Sequence, residues 1–375
     1  MITPGLQQLE QEILRRRICS GRELAEALDL SQPSLSRLLR LLPAGRLHRI
    51  GAGPRTRYAL HRRIEPVGDQ WPLYEIAPSG GARRVGVLHA LEGGGWHLEQ
   101  DEVWPVLRGS VFPDGVFPDW PWFLDDLRPQ GFLGRIFARR FAGEFRAPED
   151  PRLWRADHVL RALLQEGSDL PGAFVLGEDM LARALRPDRN RWIAPDLRGV
   201  RYAALAGEVL DGGWPGSSAA GEQPKFTACV VDAAGGERPV IVKFSGDVRE
   251  PAQARRADLL VAESIAAGVL RQAGIPAAAT EVLFHDHRCF LESTRFDRAA
   301  SQGVSVWSRC KRWIRHSMAF AHTLDRRRRR LAAGRAAWRR RRGAPVRRLV
   351  VRPFHRQRRA CTTVTWASTS LPNRP

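Results

Sequence analysis

Small residues crowd the stretch Gly216-Ser217-Ser218-Ala219-Ala220-Gly221, which runs on into Glu222-Gln223-Pro224-Lys225-Phe226; a second lysine, Lys243, follows within Val240-Ile241-Val242-Lys243-Phe244. Without large side chains, successive backbone N–H groups can turn towards one anion, which is the chemistry of a phosphate-holding loop. Lysine usage singles out the same place. Up to Arg298 the chain has 39 basic residues, and only Lys225 and Lys243 among them are lysine. A compact ammonium on a flexible stem suits single phosphate oxygens, where a guanidinium offers a planar fork.

The elements that would position these groups can be read around them. Thr227 to Val231 and Val240 to Phe244 are β-branched and apolar, and residues 232 to 237 between them are turn chemistry. The spacing predicts a hairpin with the loop at one end and Lys243 on the return strand. Ala257 to Ala273 has the apolar spacing of a buried helix, with Leu259, Leu260, Ile265, Ala266, Val269 and Leu270. Glu263 on that helix needs a partner, and Lys243 is the candidate. Ala278 to His285 and Arg288 to Arg295 predict a second hairpin around Asp286-His287, with Glu292 near its end.

Ser218-Ala219-Ala220-Gly221-Glu222-Gln223-Pro224-Lys225 resembles the S-x-A-G-x-Q-x-K loop of HipA-family serine/threonine kinases, the toxins of a bacterial toxin-antitoxin system. Leu291-Glu292-Ser293-Thr294-Arg295-Phe296-Asp297-Arg298 resembles the family's V-E-R-F-D-R hinge, and Pro121 to Gly131 its F-F-x-x-L-L-P-E-G stretch. The resemblance covers residues 66 to 298 and implies a two-lobed α+β protein kinase fold, ATP and Mg²⁺ as cofactors, and phosphorylation of a protein serine, an aminoacyl-tRNA synthetase being the type of target. It also implies an ATP site formed by Ser217, Ser218, Gly221, Gln223, Lys225, Lys243, Glu263 and Glu292. In it Lys243 is the strand lysine that contacts ATP, Glu263 the helix glutamate that holds this lysine, and Ser218 the loop serine that is autophosphorylated.

Residues 1 to 62 predict a separate module. Leu6, Leu9, Ile13 and Leu14 recur at helical spacing, Ser20-Gly21-Arg22-Glu23 is a capping box opening a helix to Leu28, and Ser31 caps a third helix from Gln32 to about Leu42. Arg46 to Ile50 and Arg55 to Leu60 then flank Gly51-Ala52-Gly53-Pro54, so the module reads as a winged helix-turn-helix. In such an arrangement Gln32, Ser34 and Ser36 face bases from a helix opened by Ser31, while Arg37, Arg40, Arg55 and Arg57 meet phosphates. Residues 1 to 63 hold 12 basic and 5 acidic residues, the electrostatic footprint of duplex DNA binding. The alternative is a helical protein-binding module with a solvated basic face.

Between these regions, residues 63 to 150 read as the family's N-terminal subdomain and 151 to 298 as the kinase-like core. Tryptophans 96, 104, 120 and 122 lie among Pro and apolar residues, as core and turn packing does. Arg152 to Gln165 predicts an amphipathic helix, and Gly172 to Gly177 a strand. The five cysteines form no C-x-x-C spacing, so neither a disulfide framework nor a zinc site is expected. No apolar run reaches membrane-spanning length, and a cytoplasmic protein is expected.

The net charge of +20 belongs to one end of the chain. Residues 1 to 298 balance 39 Lys+Arg with 39 Asp+Glu, whereas residues 299 to 375 hold 21 against a single acid, Asp325. The Arg326 to Arg330 and Arg339 to Arg342 blocks repel and predict a disordered basic tail. Phosphoryl transfer requires an aspartate to orient the attacking hydroxyl and further Asp or Asn ligands for magnesium. After Asp297 the chain offers only Asp325 and, near its end, Asn373, so no complete metal site is expected. A change of reading frame between about Arg298 and Val306 accounts for the abrupt shift in composition; a genuine nucleic-acid-binding arm is the rival reading. The function expected is therefore a kinase of the HipA family's YjjJ-like branch, fused to a DNA-binding domain, inactive in this chain, with an antitoxin as a further partner. The alternative is a DNA-binding transcriptional regulator whose second lobe senses a ligand.

Overall fold

The computed structural model describes residues 4 to 295, apart from 78–79, 105–106, 108–110, 113, 171, 187–191, 214–220 and 232–234. These residues belong to one compact unit. Ser217, Ser218 and the whole of the basic tail lie outside the described residues.

The first sixty residues fold as three helices and a hairpin. Helices α1 (Pro4–Arg16), α2 (Gly21–Leu28) and α3 (Gln32–Arg40) enclose Leu9, Ile13, Leu24, Leu35 and Leu39. The capping box at the start of α2 is made in both directions: Ser20 Oγ accepts from the Glu23 N–H at 3.2 Å, and the Ser20 N–H donates to Glu23 Oε2 at 2.6 Å. Asp29 ends α2 in the left-handed region (φ 51°), and Ser31 then caps α3 by accepting from the Ser34 N–H at 3.3 Å. Strands β2 (Leu47–Ile50) and β3 (Arg57–Leu60) form the hairpin, and β1 (Cys19–Ser20) adds to the far side of β3.

A five-stranded antiparallel sheet follows, ordered β7-β6-β5-β4-β8, from β4 (Gln70–Ile76), β5 (Ala82–Ala90), β6 (Trp96–Gln100), β7 (Val116–Phe117) and β8 (Phe174–Leu176). Helices α4 (Gly131–Phe145) and α5 (Ala156–Glu166) share its core with Trp71, Trp96 and Trp120. The tryptophans divide: Trp96 and Trp120 are buried and meet edge to face at 5.1 Å, Trp104 lies under the Arg83 guanidinium at 4.0 Å, and Trp122 is 36 % exposed.

The third sheet, β11-β12-β10-β9, comprises β9 (Lys225–Val231), β10 (Glu237–Phe244), β11 (Thr280–His285) and β12 (Arg288–Thr294), all antiparallel. After the short helix α6 (Glu178–Leu185), α7 (Arg198–Leu210) covers one face of this sheet, packing Tyr202, Ala206 and Val209 on Phe226, Val240, Val242 and Phe290. Helix α8 (Pro251–Gln272) covers the other through Ala257 and Leu260 against Cys289 and Leu291.

Here the expectation of a buried helix is corrected. Only a narrow stripe of α8 is buried, and Leu259, Ile265 and Val269 are 64 %, 63 % and 56 % exposed. The apolar residues spread around more than one face of the helix, and a single sheet covers only one.

Candidate nucleotide-binding face

Period-two alternation sorts the third sheet's side chains. Lys243 on β10 pairs in register with Lys225 on β9 and with Leu291 on β12, so all three point to the α8 face. From the second turn of α8 onward the helix runs over that face, and the Lys243 ammonium donates to Glu263 Oε1 at 2.5 Å. The sequence-predicted partnership is thus present as geometry. The pair is partly open to solvent, with Lys243 24 % and Glu263 42 % exposed at the side chain.

Lys225 is buried beside them. Burial, and then the nearby charge of Lys243, push its pKa down from the ordinary lysine value to about 8. Its ammonium donates to the Gly221 carbonyl at 2.8 Å, and the same oxygen accepts from the Phe132 N–H at 2.9 Å. Gly221 has φ +105°, and a Cβ on Gly131 would lie 2.5 Å from the Gly221 oxygen. Glycine at both positions lets the end of the loop lie directly on the start of α4, where Arg135 also pairs with Glu222 at 2.6 Å. Gln223 is exposed at this end.

Glu292 stands apart from this group. It pairs with Val242 and so points to the α7 face, where its side chain is fully buried. Its carboxylate accepts from Tyr202 Oη at 2.6 Å, from Arg198 at 3.2 Å and from Arg238. Burial, and then the bond to Glu292, push the Tyr202 hydroxyl's pKa up, and the bonds it donates to Glu281 hold the Arg198 guanidinium above its ordinary value. The side chain therefore has a structural task, and only the backbone of Glu292 remains for the ATP contact expected of it.

Comparison with known proteins decides what this sheet belongs to. Residues 217–343 match the family model described as the HipA-like C-terminal domain, and residues 67–185 match that of the YjjJ-like toxin, middle domain. Over 289 residues, 76% of the chain, the sequence is 35% identical to Toxin YjjJ of Escherichia coli (strain K12), and it covers 62% of that protein. These matches relate the chain to the YjjJ-like toxins and to proteins with a HipA-like C-terminal domain. In this YjjJ-like chain the match to the HipA-like domain continues past Arg298 to residue 343, into the stretch for which a changed reading frame is expected.

The other predicted face of this YjjJ-like chain lies on its first three helices. Ser31, Gln32, Ser36, Arg37 and Arg40 are exposed on or before α3, with Ser34 partly covered, and Arg55 is exposed in the turn between β2 and β3. Arg57 differs from the rest: it is half-covered and paired with Asp114 at 2.6 Å.

Sequence reading missed one cluster altogether. His48 and His61, from the hairpin and its exit, meet His89 and His97 from β5 and β6. Burial pushes the His48 pKa down to about 2 and lowers that of His89 as well. The four lie 13, 28 and 8 residues apart along the chain, and no local spacing announces them. No described helix is long and apolar enough to cross a membrane.

Proposed function

We propose that residues 151 to 298 form the nucleotide-binding part of a HipA-like serine/threonine protein kinase, and that residues 1 to 62 are a winged helix-turn-helix that binds DNA, with 63 to 150 as the subdomain between them. The contact of Lys243 with Glu263 at 2.5 Å, on the face that also carries buried Lys225, is the observation that supports the kinase half. A strand lysine held by a helix glutamate is how protein kinases set the cation that meets ATP phosphates. Two ammonium groups on neighbouring strands repel in the unliganded protein, and an anion between them removes that cost. Ser217, Ser218, Gly221 and Gln223 complete the cradle, with ATP and Mg²⁺ as ligands, a protein serine as acceptor and Ser218 as the autophosphorylated residue.

The DNA half rests on α3. Its exposed Gln32, Ser36, Arg37 and Arg40 follow a capped turn, and Arg55 extends the same chemistry to the hairpin. A phosphate contact from Arg57 competes with its pair to Asp114. An antitoxin, a cytoplasmic location and an aminoacyl-tRNA synthetase target belong to the same proposal.

With Asp325 as the only acid after Asp297, this chain lacks a metal-binding pair, so it binds ATP weakly and transfers no phosphate. Fluorescent ATP-analogue titration of the full chain tests this: saturable binding is expected, weakened at least tenfold by Lys243→Ala, with no radiolabel passing from ATP to Ser218 or to a target. Incorporated label would overturn the inactivity, and binding indifferent to Lys243→Ala would overturn the nucleotide face. Promoter binding that survives Lys243→Ala, without any nucleotide binding by the parent chain, would favour the ligand-sensing regulator. The proposed frameshift is tested by translating the other frames downstream of the Arg298 codon; absence of a kinase-like Asp and Asn there rejects it.

A further inference from the structure

The β2–β3 hairpin and its exit reach the five-stranded sheet at a cluster of imidazoles. His48, His89 and His97 are 5 %, 4 % and 5 % exposed. The His48 ring is central, with centroids 4.7, 4.3 and 4.9 Å from those of His61, His89 and His97. One ring nitrogen from each of His48, His89 and His97 lies within 4.8 Å of the others. His48 Nε2 and His97 Nδ1 are 2.8 Å apart, and His61 Nε2 and His89 Nδ1 3.2 Å.

The hydrogen bonds around these rings do not balance with neutral histidines. His61 Nδ1 contacts the Gly45 carbonyl at 2.7 Å, His61 Nε2 meets His89 Nδ1, and His89 Nε2 contacts the Glu99 carboxylate at 3.1 Å. A carbonyl and a carboxylate only accept. Three hydrogen bonds strung between two acceptors need three protons, and two neutral imidazoles carry two. A third proton would make an imidazolium that Glu99 can pair with only from the solvent side, in a site where burial and two more imidazoles oppose the charge. A cation among the inner nitrogens resolves the count. His61 Nδ1–H then donates to Gly45, His89 Nε2–H donates to Glu99, and both inner nitrogens present lone pairs. An outer N–H held by a carboxylate or carbonyl is the usual support of a metal-bound histidine.

We propose that His48, His89 and His97, with His61 as the fourth donor, bind one late first-row divalent metal ion such as Zn²⁺. Imidazole nitrogen suits zinc, copper and nickel rather than magnesium or calcium. Ligands about 2.0–2.1 Å from a tetrahedral ion stand roughly 3.4 Å apart, so the widest separation among His48, His89 and His97 closes by about 1.4 Å through side-chain rotation, and His61 turns in from its place beside His89. Four protein ligands leave no open position, so the ion is structural. It ties the hairpin that carries His48 to the sheet that carries His89 and His97.

Titration of the chelator-treated full chain with Co²⁺, followed by visible absorption, tests the site. One equivalent is expected to give an intense band of tetrahedral nitrogen ligation, displaced by Zn²⁺, and Zn²⁺ is expected to raise the melting temperature. His48→Gln with His97→Gln should abolish the band, and Glu99→Gln should weaken binding about tenfold. If the double variant does not fold, His61→Gln, at a partly exposed position, should still lower affinity and change the band. Failure of the parent chain to take up a stoichiometric ion overturns the proposal whatever the variants do. So does unchanged affinity in a folded double variant.

Discussion

The sheet β11-β12-β10-β9 carries ionised groups on both faces and treats them in opposite ways. On the α7 side, Glu292 is fully buried and takes hydrogen bonds from Tyr202, Arg198 and Arg238, while Glu281 shares Arg198. On the α8 side, Lys225 and Lys243 stand in register on adjacent strands, with Glu263 on Lys243 and Glu222 turned towards Arg135. On the first face each charge has an opposite charge. The second gathers like charges, one of them buried deeply enough to be shifted. Buried charge that is matched serves the fold, and a buried lysine held below its ordinary pKa beside a second lysine is the kind of perturbation that ligand sites and structural networks both show.

The largest test of this contrast is Glu292→Gln. Removing the carboxylate leaves Arg238 without its charged partner and Arg198 with Glu281 alone, at the sheet's buried centre, and breaking such a pair costs about 3–5 kcal/mol. Denaturant unfolding should show that loss with ATP-analogue affinity reduced only as far as folding is. A loss confined to nucleotide binding would mean that Glu292 belongs to the ligand site after all.

Lys225→Met tests the opposite face with the opposite sign. The folded pKa of about 8 lies below that of the unfolded chain, so the charged lysine opposes folding at neutral pH. Methionine keeps the apolar stem and removes the charge, and the Gly221 carbonyl keeps its bond from the Phe132 N–H. A gain of about 1–3 kcal/mol is expected at pH 7, with nucleotide binding lost. Between about pH 8 and the ordinary lysine range the parent chain sheds its proton on folding and gains stability as pH rises, so the advantage of the variant shrinks there. A variant less stable than its parent at pH 7 would show that Lys225 is satisfied without a ligand.

Much of this sheet was legible beforehand because its signals are local. Apolar alternation and the turn at 232 to 237 marked the β9–β10 hairpin, and the Lys243–Glu263 contact was expected from the resemblance to the kinase family, which places both residues. The capping box at Ser20 and the cap at Ser31 likewise lie within four residues of what they bond. What escaped notice depends on distance along the chain. Glu292 finds Arg198 and Tyr202 about ninety residues away, and the histidine pocket joins β2 to β6 across 49. The α8 surface was misjudged for a different reason: apolar composition shows what a helix could bury, not how many neighbours it has to bury it against.

Lys243→Ala should have the smallest effect on folding and for that reason separates the two faces most cleanly. Lys243 and Glu263 are both partly open to water, and pairs of that kind contribute about 0–1 kcal/mol. Removing Lys243 also relieves its repulsion of Lys225, which the same geometry makes unfavourable, so the two changes offset. The melting temperature should stay within a few degrees of the parent's while Lys225 moves back towards its ordinary pKa, read by NMR of its side-chain resonances over pH. If the α8 face were a matched network like the α7 face, Lys243→Ala would leave Glu263 stranded and unfold the protein earlier. A stable variant that has lost its nucleotide would set the two faces apart in one measurement each.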